Sequence, residues 1–188
     1  MRTFIAIEIP AEAKSALTAM QNELRRAGAD VTWTNPDNIH LTLKFLGEID
    51  KKLISEVEKV CLETSAEVPA FTMGIKGIGV FPNARHPRVL WVGLSGEIEI
   101  LERLQEHLDE RLTSIGFDSE EKDFQPHLTV GRIRSNKNLH ELLARSEVYT
   151  LPPHSFVVRE IVIMKSDLDP AGVSYSQLAR AKMKDQND

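Results

Sequence analysis

Two short segments of the sequence place a threonine two residues after a histidine. They are His40-Leu41-Thr42 and His127-Leu128-Thr129. An imidazole, whose unperturbed pKa is about 6.5, can accept or donate a proton near neutral pH. A hydroxyl can donate a hydrogen bond to negative charge that builds up during a reaction. The two segments therefore contain groups suited to acid–base chemistry and to stabilising a developing negative charge.

Each segment is typical of a β-strand that is buried on one face. Residues i and i+2 of a strand point the same way, so His40 and Thr42 share one face while Leu41 and Leu43 share the other. The second segment repeats this pattern. Each strand is expected to bury its apolar face and to offer an imidazole beside a hydroxyl on the other face. Two such strands suggest one site with two histidines.

A single segment of this kind would carry little weight. Six histidines and ten threonines in 188 residues give about 0.3 matches by chance. A lone strand histidine is more often a packed or surface residue than a catalyst, and threonine is a good strand former. Two matches at the same place in a repeated unit favour a functional site.

The order of elements around the two segments recurs along the chain. His40 lies 38 residues after Arg2, which opens a predicted strand, and His127 lies 39 residues after Arg88, which opens another. A unit of strand, helix, histidine–threonine strand, helix and strand therefore occurs twice, over about 2–80 and 88–183. We expect one two-lobed domain over 1–188. Its fold class is α+β: two pseudo-symmetric lobes, each an antiparallel sheet with helices on its outer face, and an active-site cleft between them.

The individual elements follow from hydrophobic periodicity and from glycine and proline stops. Strands are expected over 2–9, 31–34, 39–46, 71–80, 88–94, 127–133, 155–166 and 173–183. Helices are expected over 11–27, 51–65, 97–115 and 138–146.

Composition narrows the class of protein. The content of 41% hydrophobic and 27% charged residues is that of a globular protein, and no apolar run approaches the ~20 residues of a membrane span. The net charge of −5 argues against a broad nucleic-acid-coating surface, although not against a small phosphate site. The single cysteine, Cys61, excludes an internal disulfide and cysteine-based zinc sites. A cytoplasmic location is the default expectation, and the N-terminal segment is too short and strand-like for a secretory signal.

Longer stretches around the motifs resemble a known family. The run HLTLKFLGE at 40–48, with HLTVGR at 127–132, is similar to the paired signature of the 2H phosphoesterases. More narrowly, it resembles the LigT-like RNA 2′,3′-cyclic phosphodiesterases, known earlier as 2′-5′ RNA ligases. The opening RTFIAI at 2–7 and PRVLWVG at 87–93 are also similar to that family. The resemblance covers nearly the whole chain.

The resemblance implies a function for both motifs. It implies a hydrolase that opens RNA 2′,3′-cyclic phosphate ends to a 2′-phosphate. His40 and His127 are then the acid–base catalysts, and Thr42 and Thr129 donate hydrogen bonds to the phosphate. His127 is then the base that activates water and His40 the acid for the leaving oxygen. The implied partners are RNA ends or nucleotides bearing a cyclic phosphate, with no membrane, no cofactor and no obligate protein partner.

Two other functions stay open from the sequence. One is ATP-independent joining of RNA ends through a 2′-5′ linkage, as the reverse reaction. The other is a non-catalytic module that only binds RNA ends. A zinc site is disfavoured, because His40 and His127 would need a third ligand and each motif has threonine where a second histidine would stand. No metal is therefore expected.

Arg132 matches the arginine that follows the second motif in the family, where it helps to bind the phosphate or nucleotide. Strict alternation places Arg132 on the face opposite His127, although a bulge or strand end at Gly131 would turn it back. Lys44 has the parity to face the cleft, with a plain surface lysine as the alternative.

Three aromatic side chains and one loop are further candidates. Phe4, Phe45 and Trp91 could stack on a base, although core packing is the more common role. A basic cluster of Arg85, His86 and Arg88 could guide an RNA end, or could be an ordinary solvated loop.

Overall fold

The computed structural model describes residues 1–119, 123–170 and 172–184. The strands are β1 (Arg2–Glu8), β2 (Val31–Trp33), β3 (His40–Glu48), β4 (Phe71–Phe81), β5 (Val89–Gly96), β6 (His127–Ile133), β7 (His154–Val158), β8 (Glu160–Asp169) and β9 (Gly172–Lys182). The helices are α1 (Ala11–Arg25), α2 (Ile54–Ala66), α3 (Ile98–Ser114) and α4 (Leu139–Val148). Nearly every predicted element is present, with ends shifted by a few residues.

The strands form one sheet in the order β7-β4-β5-β6-β3-β1-β8-β9, and β2 adds to β6. Neighbours in this order pair antiparallel. The two motif strands, β3 and β6, meet in the middle, so each half of the sheet contains one motif. The predicted α+β class with antiparallel sheets is therefore confirmed, and the two halves are joined along this central pair.

The helices bury their apolar stripes against one core. In α3, four leucines at helical spacing are fully buried: Leu101, Leu104, Leu108 and Leu112. Buried residues of all four helices belong to the same hydrophobic cluster as the inward side chains of the sheet. At about 25 cal/mol per Å² of apolar surface, this burial is the main stabilising term of the fold. Within the described part of the chain, no helix is long and apolar enough to cross a membrane.

The sheet halves do not coincide with the repeat units along the chain. The last strand of the first unit, β4, pairs with β5 of the second unit. In return β8, from the second unit, pairs with β1 of the first. The two units therefore exchange their outer strands, which local sequence patterns cannot reveal.

One predicted strand is two strands, which corrects the expectation for 155–166. The segment breaks at Arg159: β7 pairs with β4 in one half of the sheet, and β8 pairs with β1 in the other. Local patterns miss this crossing because β-branched and apolar residues favour a strand on both sides of Arg159 and Glu160, and the pairing partner of each piece is not a local property.

Candidate active site

The two motif strands are neighbours, and their central leucines face each other. Leu41 pairs with Leu128 across the antiparallel β3–β6 contact, and both side chains are buried. Because side chains alternate along a strand, the residues that flank each leucine lie on the opposite face. These flanking residues are the four polar side chains of the motifs: His40, Thr42, His127 and Thr129. The structure thus brings the predicted catalytic and phosphate-binding side chains together on one face.

The register of this pair creates a local twofold arrangement. In this register His40 falls opposite Thr129, and His127 falls opposite Thr42. The two histidines are therefore diagonal neighbours, a relation that separates residues by about 7–8 Å. A phosphate group between them has an imidazole and a hydroxyl on each side. This symmetric surrounding suits an in-line displacement at phosphorus.

Both histidines are held by the same backbone tether. The Nδ1 of His40 lies 2.7 Å from the carbonyl oxygen of Asn38, and the Nδ1 of His127 lies 2.7 Å from that of Gln125. A carbonyl oxygen only accepts, so Nδ1–H donates in each case. The neutral rings then have an unprotonated Nε2. Both histidines consequently use Nε2 as the atom that gains or loses a proton.

His40 is enclosed by aromatic rings. Its ring stacks on Phe4, with centroids 4.7 Å apart and planes at 28°, and meets Tyr175 edge-on at 5.2 Å. Its Nε2 lies 3.0 Å from the hydroxyl oxygen of Thr42. In the neutral ring this nitrogen accepts from the Thr42 hydroxyl. The same hydroxyl can turn to a phosphate oxygen once Nε2 is protonated.

Burial lowers the pKa of His40 below its ordinary value of 6.5. Desolvation is the main cause, because it penalises the charged ring. The hydrogen bond to the Asn38 carbonyl opposes this by stabilising the imidazolium. The positive charge of Lys14 lowers the pKa further, and the negative charge of Glu8 raises it.

His127 has an aromatic wall of its own. The ring of Phe81 meets it edge-on at 5.0 Å, and Phe81 in turn lies 5.0 Å from Trp91. Gly79 makes room for this wall, since a Cβ at that position would come within 2.2 Å of the indole of Trp91. Aromatic rings therefore contact both histidines.

A β-bulge places Arg132 on the histidine face. The pairing of β6 with β5 skips Val130, which is the extra residue of the bulge. Beyond it Gly131 and Ile133 are buried and Arg132 is exposed. Burial raises the pKa of Tyr175, and the positive charge of Arg132 lowers it in part. Tyr175 contacts His40, so Arg132 acts electrostatically on a neighbour of the histidine. The bulge thus reverses the orientation that strict alternation predicts.

The equivalent bulge in β3 turns Lys44 away from the cleft, which corrects the predicted cleft-facing orientation. Pairing with β1 skips Leu43. Lys44 is only 3% exposed, and its Nζ lies 2.5 Å from Asp109 of α3 and 2.6 Å from the carbonyl oxygen of Asp118. Phe45 takes the outward position instead, 62% exposed and 6.0 Å from the ring of Phe4.

The predicted hairpin of β8 and β9 contacts His40, which the sequence did not indicate. Tyr175 of β9 contacts both His40 and Phe4, and the Asn38 side-chain amide donates to the carbonyl oxygen of Val173 at 2.9 Å. A cavity of about 310 Å³ lies beside His40, and its polar lining includes Glu8, Lys14, Asn38, His40, Tyr175 and Gln177. No local motif marks Tyr175, because its contact with His40 joins residues far apart in the sequence.

The basic loop follows Phe81, the ring that contacts His127, and the buried thiol of Cys61 is unreactive. Arg85 and His86 are exposed in the loop after Phe81, with their amides bonded to the Asn83 side chain. Burial raises the pKa of the Cys61 thiol to about 12, so it stays protonated. Within residues 1–119, 123–170 and 172–184, no three His, Cys, Asp or Glu side chains are grouped so that they could hold a metal ion.

Comparisons with a family model and with known proteins point to the same family. The model of the LigT-like phosphoesterases matches the chain twice, over residues 7–91 and 92–175, and each match contains one histidine–threonine motif. An RNA 2′,3′-cyclic phosphodiesterase of Methanothermobacter thermautotrophicus is 34% identical over 95% of this chain and 96% of its own. Another of Thermotoga maritima is 36% identical over 95% of this chain and 93% of its own.

Solved structures agree with these relatives. TT0787 of Thermus thermophilus superposes with a TM-score of 0.82 and 25% identity, covering 99% of this chain and 100% of its own. E. coli LigT complexed with 3′-AMP superposes with a TM-score of 0.73 and 25% identity, covering 97% of each chain.

Proposed function

The chain belongs to the LigT-like phosphoesterases, and from that premise we propose that it is an RNA 2′,3′-cyclic phosphodiesterase. It opens the cyclic phosphate at an RNA end to a 2′-phosphate without a metal ion. One observation supports this above all: two histidines, tethered alike through Nδ1, flank the centre of a twofold arrangement. Its substrates are RNA ends or nucleotides that bear the cyclic phosphate.

The reaction needs one base and one acid. The base removes a proton from water as the water oxygen bonds to phosphorus. The bond from phosphorus to the 3′-oxygen breaks, and the acid protonates that oxygen, which leaves the phosphate on the 2′-oxygen. Each proton transfer contributes about 10²–10⁴-fold in rate.

We assign the base to His127 and the acid to His40, as in the family that the motifs resemble. The lowered pKa of His40 suits an acid in one respect, because its imidazolium gives up a proton more readily to the departing oxygen. A phosphate anion beside Nε2 favours the protonated ring, since an opposite charge within about 4–6 Å stabilises it. Substrate binding therefore charges the acid that the free protein keeps neutral.

Three further side chains stabilise the charge on the phosphate. The hydroxyls of Thr42 and Thr129 flank the reaction centre and donate to its non-bridging oxygens. Arg132, on the same face, adds a fixed positive charge that binds the phosphate or the nucleotide. Phe45, exposed beside Phe4, offers a ring on which a base can stack.

The same site supports 2′-5′ joining of RNA ends as the reverse reaction, with the acid and base exchanging roles. A module that only binds RNA ends is the weaker alternative, because binding alone does not require two identically tethered Nε2 atoms. We also propose a cytoplasmic location, as is usual for a chain with one buried thiol.

A product assay tests the proposal directly. The protein is incubated with a 2′,3′-cyclic nucleotide or oligonucleotide in EDTA, and the product is identified by chromatography. We expect turnover to a 2′-phosphate, reduced about 10²–10⁴-fold by His40→Ala or His127→Ala and retained in His140→Ala, an exposed histidine of α4. Absence of turnover in the wild type contradicts the function, and a 3′-phosphate product contradicts the regiochemistry.

A further inference from the structure

Each motif bulge presents a backbone carbonyl to a buried glutamine. In β6, the carbonyl oxygen of Val130 accepts from the amide of Thr34 at 3.0 Å and from Nε2 of Gln21 at 2.9 Å. Gln21 is 1% exposed, and its Nε2 also donates to the carbonyl oxygen of Thr34 at 2.8 Å. Both neighbours are acceptors, so the NH₂ end of the glutamine must face them.

The first motif has the equivalent contact. Gln105 is 7% exposed, and its Nε2 lies 3.5 Å from the carbonyl oxygen of Leu43. Leu43 and Val130 are each the third residue after the motif histidine, and each is the extra residue of its bulge. The contact at Leu43 is the longer and weaker of the two.

The two contacts cross between the halves of the chain. Gln21 lies on α1, which follows β1, yet it contacts the motif strand β6. Gln105 lies on α3, which follows β5, yet it contacts the motif strand β3. Each helix thus contacts the motif of the other half.

Both glutamines occupy positions where hydrophobic residues are expected. Gln21 stands between the buried Met20 and Leu24 of the α1 stripe, and Gln105 directly follows the buried Leu104. A polar residue in such a stripe costs free energy unless it is hydrogen-bonded. The carbonyl of Val130 already accepts from the Thr34 amide, so Gln21 adds a second hydrogen bond and ties both the bulge and the Thr34 carbonyl to α1.

We propose that Gln21 and Gln105 are positioning residues that hold the two motif bulges in register. This rests on the proposed function for its kinetic part only. At β6 the bulge sets the side on which Arg132 emerges. Loss of the Gln21 donor relaxes the bulge and withdraws Arg132 from the phosphate that lies between the histidines.

The test uses Gln21→Met, which keeps the length of the side chain and removes both donors. We expect kcat/KM on a cyclic nucleotide to fall about 10- to 100-fold, the scale of a small misplacement at a reacting centre. In an Arg132→Ala background the same substitution should have much less effect, because the two residues act through one element. Leu24→Ala is the matched control: it leaves a cavity on the same helix face and should keep kcat/KM at a temperature where it is folded.

Affinity for inorganic phosphate, measured by NMR titration of the two motif histidines, is the second measurement. Phosphate affinity tests the role of the glutamines separately from the proposed function, because it can be measured even if the wild-type protein does not hydrolyse cyclic phosphates. We expect weaker phosphate binding in Gln21→Met and wild-type binding in Leu24→Ala. Normal binding and turnover in Gln21→Met, effects that add fully with Arg132→Ala, or an equal loss in Leu24→Ala would each overturn the proposal. If Gln21→Met does not fold, Gln105→Met is compared with its control Leu108→Ala by the same two measurements. A smaller loss of kcat/KM and of phosphate affinity is expected, because the Gln105 contact is longer.

Discussion

His40 and His127 share a tether but differ in their surroundings. Both donate from Nδ1 to the carbonyl two residues upstream, so both act through Nε2. His40 is additionally packed between Phe4 and Tyr175, and burial lowers its pKa. The twofold relation of the motifs therefore gives two similar groups, and the packing around one of them makes the groups unequal.

The single-histidine variants reveal which ring is the acid. In His127→Ala the residual kcat/KM depends on protonated His40, so it should fall as pH rises through the pKa of His40, which lies below 6.5. In His40→Ala this decline should be absent, because the titrating His40 ring has been removed. Rate profiles between pH 5 and 9, with NMR titration of His40, provide the measurement. A decline with rising pH in His40→Ala, and none in His127→Ala, would show that the two assigned roles must be exchanged.

The β8–β9 hairpin controls how deeply His40 is buried. It is attached to the start of β3 by the Asn38 amide, which donates to the carbonyl oxygen of Val173, and by the contact of Tyr175 with the imidazole. The carbonyl oxygen of Asn38, in contrast, accepts from His40 and is a backbone atom. Substitution of the Asn38 side chain therefore affects the hairpin and leaves the tether.

Asn38→Ala should release the hairpin and partly rehydrate His40. Because desolvation is the main cause of the lowered pKa, its relief should raise the pKa of His40 toward 6.5. The lost hydrogen bond should cost about 0.5–1.5 kcal/mol of stability. NMR titration measures the pKa, and Asn83→Ala, in the loop after β4, is the control. An unchanged pKa in Asn38→Ala would show that the hairpin does not desolvate His40.

The two halves of the molecule are also joined by a buried ion pair. Lys44, on the motif strand β3, contacts Asp109 on α3, and Asp109 in turn accepts from the Ser119 hydroxyl at 2.9 Å. The Lys44 and Asp109 side chains are 3% and 14% exposed. Removing one partner of such a pair leaves a poorly solvated charge, whereas exposed pairs contribute little.

Lys44→Met should lower the free energy of unfolding by about 3 kcal/mol, because the largely buried carboxylate of Asp109 loses the ammonium group of Lys44. The double variant with Asp109→Leu should recover most of this loss. Lys59→Met removes an exposed partner of Glu63 and should change stability by less than about 0.5 kcal/mol. Urea unfolding measures all three variants, and equal stability of Lys44→Met and wild type would contradict a structural role for the pair.

Local patterns determined most of the site and the elements. The period of two in the motifs placed His40 with Thr42 and His127 with Thr129, and the leucine stripes located the helices. These predictions depend only on the geometry of a strand or a helix, which neighbouring residues specify. The repetition of the motif also predicted a common site. The pairing of Leu41 with Leu128 brings the two motifs together in the structure.

Tertiary structure decided the features that depend on strand pairing, namely the positions of the bulges and the partner of each strand. The bulges at Leu43 and Val130 exist relative to β1 and β5, so strict alternation misplaces Lys44 and Arg132, although a bulge near Gly131 was an expected alternative for Arg132. The break at Arg159 and the exchange of β4 and β8 likewise depend on partners far away in sequence. The sequence alone thus identified the histidine and threonine groups to which we assign the chemistry. Long-range packing decided how those groups are aimed, because a strand's register is a property of two strands and not of one.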